Sequence, residues 1–168
     1  MNNTCRRCAE SQPITKENYG SRYYEPKLFY KLDEIVYQYI RNNGYVATLA
    51  LDHLSQKSEG NFLFTHDLEL TPPEDLKEKK QELDIVCIRD GVITIGEAKK
   101  EDRLGEKGSS EVEEIRKYVK VAERISAKAL VFATFSNDWS QETYTNVNKH
   151  TSGKNLEIIL LKAADLLS

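Results

Sequence analysis

The sequence predicts a single α/β domain in which helices cover both faces of a mixed sheet. Two apolar runs, Leu83–Ile88 and Val92–Ala98, are joined through Asp90-Gly91, a residue pair that favours a two-residue hairpin turn. A helical apolar pattern and a further strand precede this hairpin, and helix and strand patterns alternate after it. The resulting order is helix, three antiparallel strands, helix, strand, helix, strand, which makes a layered domain around a mixed sheet.

The elements follow in chain order. Residues 1–24 are polar and irregular, and the α/β domain is expected over 25–168. Glu25-Pro26 opens a helix, with Pro suited to its first turn, and Asn43-Gly44 closes it. Leu28, Leu32, Ile35, Val36, Tyr39 and Ile40 recur at helical spacing and form one apolar face. Residues 45–57 fit strand or helix, and Leu49, Leu51 and Leu54 favour a short helix. Asn61–Leu70 reads as a strand, and Pro72-Pro73 stops the sheet in the linker that follows. After the hairpin, Lys100–Gly108 is a charged loop, and Ser110 with Glu113 forms a capping box for a helix reaching Ser126. A strand over Ala129–Phe135, a helix over Ser140–His150, a strand over Leu156–Leu161 and a short helix over Ala163–Leu167 complete the domain.

Composition narrows the functional classes. At 168 residues the chain suits one domain with a proper core, and 39% hydrophobic with 30% charged residues marks a globular protein. No apolar run approaches the roughly 18 residues of a membrane span, and Met1-Asn2-Asn3-Thr4 does not begin a signal peptide. The cytoplasm is the expected compartment, with no membrane partner. A net charge of −3 means that a nucleic-acid contact would need a local basic patch.

Three cysteines are too few for a disulfide framework. Cys87 lies in an apolar strand pattern and reads as a small buried hydrophobe. Cys5 and Cys8 have the spacing of one zinc knuckle, but a structural Zn²⁺ takes four ligands, and His53, His66 and His150 stand apart. They read as half of a zinc ribbon from a longer chain, as a tail without a role, as a redox pair, or as ligands of a zinc shared between subunits. A homodimer and a further domain in a longer parent chain both stay open.

With Asp90 and Gly91 as the turn, Arg89 faces Val92, Val86 faces Ile95 and Asp84 faces Glu97. Because side chains alternate, Glu82, Asp84, Val86 and Ile88 share a face with Ile93, Ile95, Glu97 and Lys99. Leu83, Ile85, Cys87, Val92, Thr94, Gly96 and Ala98 take the other. Like charges directly opposite, with Cβ atoms about 5 Å apart, destabilise a sheet unless a cation lies between them. A hard divalent ion such as Mg²⁺ or Mn²⁺, bound by carboxylates, water and substrate phosphate, fills that role. Lys99 on the same face would orient or deprotonate an attacking water, or neutralise a phosphate oxygen. The competing reading is a half-exposed ion-pair cluster of Glu82, Asp84, Glu97 and Lys99. Burying charge beside apolar strand residues for structure alone is costly, which weighs against it.

Asp84 followed by Glu97-Ala98-Lys99 resembles the signature of the PD-(D/E)xK nuclease superfamily, with Leu83 in place of its frequent Pro. The resemblance covers Pro26–Leu167 and implies the restriction-endonuclease-like fold, a three-layer α/β/α arrangement around a central mixed sheet. It further implies that Asp84, Glu97 and the Ala98 carbonyl hold the metal, that Lys99 acts on the water, and that the first helix adds an acidic ligand. Asp33, on the flank of the apolar stripe, is the favoured candidate, and Glu34 the alternative. Many members carry Gln-x-x-x-Tyr on the next helix, where this chain has Glu114 and Tyr118 as accessory candidates. The expected activity is metal-dependent hydrolysis of phosphodiester bonds in nucleic acid, with DNA the expected substrate. Lys99, Lys100, Arg103, Lys107 and Lys117 would track its backbone, or form a solvated face interleaved with acidic residues. The alternative is a non-catalytic nucleic-acid-binding or regulatory module that keeps the fold.

Overall fold

A computed structural model describes residues 2–4, 11–13, 33–71, 80–105 and 108–168. The chain divides into two compact units, Met1–Asp33 and Glu34–Ser168. In the first, β1 (Asn2–Thr4) and β2 (Ser11–Pro13) pair antiparallel, with Asn2 opposite Pro13 and Thr4 opposite Ser11. This corrects the irregular segment expected there; the paired residues are mostly polar and give no alternating apolar signal. Cys5, Cys8, the helix start at Glu25-Pro26, the Pro72-Pro73 linker and Lys107 lie outside the described residues.

The second unit contains α1 (Glu34–Arg41), α2 (Gly44–Gln56), β3 (Phe62–Leu70), β4 (Gln81–Arg89), β5 (Val92–Lys99), α3 (Ser109–Ile125), β6 (Ala129–Thr134), α4 (Gln141–Thr151), β7 (Glu157–Leu161) and α5 (Ala163–Leu166). Its five strands stand in the order β3-β4-β5-β6-β7. The first three are antiparallel and the last three parallel, so the sheet is mixed as expected. The parallel steps pass through α3 and α4, which pack together on one face. Successive right-handed crossovers in one direction require this.

Both faces of the sheet are covered. Val46, Ala50, Leu51 and Leu54 of α2, with Leu166 of α5, pack on Ile85, Cys87, Ala98, Val131 and Leu161. Ile115, Tyr118, Val119 and Ala122 of α3, with Val147 of α4, pack on Ile95, Leu130 and Phe132. Between these layers every residue of β6 is buried, and a fully buried side chain of Val, Leu or Phe size contributes about 1.5–3 kcal/mol. The first helix does not enter this core. Among its described residues none is buried, and Ile35 is 80% exposed. Asn43, at φ 60°, breaks the path between α1 and α2, and α2 takes the sheet face instead.

The hairpin has the expected register, with Arg89 opposite Val92, Val86 opposite Ile95 and Ile85 opposite Gly96. There its ladder ends. β4 continues against β3 alone, and β5 continues against β6, with Glu97 beside Phe132 and Lys99 beside Thr134. The sheet thus forks one residue short of the Asp84–Glu97 pairing that the sequence predicts. Two backbone features lie at the fork. Asp67, across from Asp84 on β3, has φ 29° and interrupts the ladder there. A Cβ on Gly96 would lie 2.0 Å from the Val131 carbonyl oxygen, so only glycine permits this approach of β5 to β6. The fork also corrects one face assignment: Leu83 joins the α3-side core, while Ile85 and Cys87 stay on the α2 side.

The expected Ser110–Glu113 capping box does not form; α3 starts at Ser109, with Gly108 as its N-cap and no side-chain cap. The α4 start is capped by Ser140, whose side chain accepts from the Thr143 N–H at 3.1 Å. No helix among the described residues is long and apolar enough to cross a membrane.

Candidate active site

The fork gathers the charged residues of the hairpin. Where the ladder has opened, the Ala98 N–H donates to Asp84 Oδ2 at 3.0 Å, so a side chain replaces a missing strand partner. Burial pushes the Asp84 carboxyl up to about 6, and the Glu97 charge adds to the rise. The Ala98 hydrogen bond and Lys99 oppose it. Glu97 is only 7% exposed. One of its carboxylate oxygens receives the Lys99 ammonium, and the other receives the Tyr118 hydroxyl from α3. Burial alone would lower the Lys99 pKa, but Glu97, Asp84 and Glu114 together outweigh it, and the net shift is upward. Tyr118 is fully buried, stacks edge-on against Phe132 at 5.8 Å, and is held well above the usual phenol range by burial and by Glu97. Its hydroxyl also lies 3.3 Å from the Glu82 carbonyl oxygen.

Asp84 has acidic neighbours on β3 and β4. Among the described residues, Asp67, Glu82 and Asp84 offer carboxylate oxygens within 4.8 Å of one another. Asp33 and Glu34 are not members of this group. Asp33 is exposed, and Glu34 begins α1, where its carboxylate accepts from the Gln38 side chain at 2.9 Å. Glu114 pairs with Lys117 at 2.7 Å, and its charge reaches both Lys99 and Tyr118.

No family model, curated protein or solved structure matches the chain.

Two grooves are lined by residues of this unit. The first, of about 980 Å³, is lined by Arg41, Asn43 and the segment Lys99–Gly105. It meets the site at Lys99, while Asp84 and Glu97 do not line it. The second, of about 770 Å³, lies between the ends of β3 and β4 and the outer side of α3, with Lys80, Gln81, Glu114, Lys117 and Lys120 among its lining residues.

The wall of the first groove is held by buried polar groups that the sequence did not reveal. Glu111 is 1% exposed and accepts from the Leu104 N–H at 3.2 Å, the Thr143 hydroxyl at 2.5 Å and the Asn146 amide at 2.8 Å. The Thr134 hydroxyl donates to the Glu101 carbonyl at 2.6 Å, and the Ser140 N–H to the Asp102 carbonyl at 2.9 Å. A buried carboxylate is tolerated only with such partners, so this network fixes residues 101–104 rather than leaving a solvated loop. Asp67 was missed for a different reason. It reaches Asp84 through the β3–β4 register, which the long connection between those strands does not announce.

Proposed function

We propose that the fork is the active site of a metal-dependent nuclease that hydrolyses phosphodiester bonds in DNA, on a restriction-endonuclease-like fold of the PD-(D/E)xK superfamily. One observation carries this reading: Asp84, Glu97 and Lys99 stand together at an opening in the sheet, where the Asp84 carboxyl is pushed up to about 6 by burial and by Glu97. Grouping like charges there costs stability that apolar residues would not. An active site accounts for the cost.

The donor set fits a hard divalent cation such as Mg²⁺ or Mn²⁺. All the candidate ligands are oxygens: Asp67, Glu82 and Asp84 bring carboxylates within 4.8 Å of one another, and Glu97, outside that group, is with the Ala98 carbonyl the part that the superfamily resemblance implies. Such an ion, when bound, stabilises charge developing on the phosphate and lowers the pKa of a water. The residues divide the remaining work. Asp84 supplies its carboxylate once deprotonated. Lys99, kept cationic by Glu97, donates to a phosphate oxygen or to the water rather than accepting a proton. Tyr118 fixes the second Glu97 oxygen. Glu114, in the position of the superfamily's Gln, acts on Lys99 through charge.

The test is incubation of linear duplex and single-stranded DNA with Mg²⁺ or Mn²⁺, beside chelator and beside Asp84→Asn. The expected result is cleavage with metal only, reduced by about 10²–10³-fold or more in the variant. DNA binding with no strand loss in any metal would instead support a non-catalytic module.

A further inference from the structure

We infer that Glu97 positions Lys99 and does not bind the metal, which Asp84 holds together with Asp67 and Glu82. This rests on the nuclease reading and reassigns the ligands that the superfamily resemblance implies.

The acids around the fork fall into two groups. In the first, every carboxylate has a partner. Glu97 is buried, and its two oxygens receive the Lys99 ammonium and the Tyr118 hydroxyl. Glu69, opposite Glu82 in the ladder, receives the Lys80 ammonium at 2.5 Å, and Glu114 receives that of Lys117 at 2.7 Å. The second group is Asp67, Glu82 and Asp84. Among the described residues, no hydrogen-bond donor or ion-pair partner meets the Asp67 or Glu82 carboxylate, and Asp84 has only the Ala98 N–H on Oδ2. These three are the carboxylates whose oxygens converge within 4.8 Å.

The strand register accounts for the grouping. It sets Asp67 across from Asp84, and Glu82 lies two residues before Asp84 on β4. The opposed like charges that the sequence puts at Asp84 and Glu97 therefore stand at Asp67 and Asp84, where a cation relieves the repulsion. Glu97 is placed differently. Recruiting it as a ligand would strip a buried ion pair of one partner and leave the Lys99 ammonium unpaired beside a divalent ion, which is costly. Left with Lys99 and Tyr118, Glu97 completes a neutral pair and fixes the ammonium at the edge of the site, as a donor to a phosphate oxygen.

The test is Mn²⁺ binding to the full chain without DNA, followed by the paramagnetic resonance signal of the free ion. Glu97→Gln combined with Lys99→Gln removes the pair and leaves the charge of the fork unchanged, so this variant should bind Mn²⁺ as tightly as the wild type. Asp67→Asn and Glu82→Gln should each weaken binding by about tenfold or more, since even a residue that only supports a ligand is worth about 10–100-fold. Both positions are exposed, so these two variants decide the question if the buried pair proves necessary for folding. Cleavage of single-stranded DNA gives a second readout. The pair variant should cut more slowly at saturating Mn²⁺ with the half-maximal Mn²⁺ concentration unchanged, whereas Asp67→Asn should raise that concentration. Loss of Mn²⁺ binding in the folded pair variant, or wild-type affinity in Asp67→Asn or Glu82→Gln, would overturn the inference, and metal-dependent cutting by the wild type would leave the nuclease reading standing. A wild type that neither binds Mn²⁺ nor cuts DNA with it would overturn both.

Discussion

Asp84, within β4, and Asp90, at the turn that follows it, are held in opposite ways. Asp90, at the turn, accepts from the Ser58 hydroxyl at 2.9 Å, the Glu59 N–H at 3.1 Å and the Gly60 N–H at 2.7 Å. Those bonds, led by Ser58, hold its carboxyl below the usual range. Asp84, at the fork, has one backbone donor, partial burial and a second carboxylate nearby, and its carboxyl rises to about 6. The turn places a charge where the fold satisfies it. The fork places one where the fold alone does not.

The glycines of the same hairpin repeat the contrast. Gly91 at the turn has φ 81° and open space around its missing side chain, whereas Gly96 at the fork is pressed against the Val131 carbonyl. Gly96→Ala should therefore be the most damaging small change, at about 3 kcal/mol, because backbone of β5 or β6 must move. Gly91→Ala should cost about 1–2 kcal/mol from its left-handed conformation alone. Denaturant unfolding of both variants checks the order. A milder effect at Gly96 would mean that the fork is loosely built.

The two aspartates should also give opposite pH dependence. The Asp84 pKa is raised on folding, so its contribution is fully present below the unfolded value of about 4 and is lost as pH rises through about 6. The Asp90 pKa is lowered, so its contribution is present above about 4 and is lost as pH falls through its folded value. Melting curves between pH 3 and 8, on the order of one unit apart, should show Asp84→Asn removing the decline between about 4 and 6. Asp90→Asn should weaken the protein chiefly at neutral pH. Because protons compete with a metal for Asp84, the metal concentration needed for cleavage should rise as pH falls below about 6.

A smaller effect is expected at the edge of the fork. Tyr118→Phe removes the hydroxyl that meets Glu97 and should cost about 1 kcal/mol in stability. Its cleavage rate should fall less than that of Asp84→Asn, measured side by side on the same DNA. An equal loss would make Tyr118 part of the reaction rather than a support for Glu97.

The same contrast explains what could be read from the sequence. Asp90-Gly91 fixes a turn within four residues, and the register of Val86 with Ile95 follows from it. Ser140 likewise marks the start of α4 by local chemistry. The fork depends on distant neighbours: Asp67 arrives through β3, Tyr118 through α3, and the Gly96 contact through β6. No local spacing encodes those. The Asp84, Glu97 and Lys99 set was legible because one hairpin carries it, whereas Glu111 gives no local signal because its partners Thr143 and Asn146 lie on α4. The apolar stripe of α1 marks the limit of such reading, since periodicity reveals an apolar face without saying what covers it.

The most direct test of the central claim, that the fork stores unfavourable charge for a metal, is thermal unfolding of the wild-type protein and Asp84→Asn at neutral pH. Each would be measured with chelator, Mg²⁺ and Mn²⁺. The account predicts that Asp84→Asn melts at or above the wild type in chelator, and that metal raises the wild-type Tm while leaving the variant nearly unchanged. A variant that melts well below the wild type in chelator, with no response of either protein to metal, would show instead that Asp84 is part of a structural ion-pair cluster.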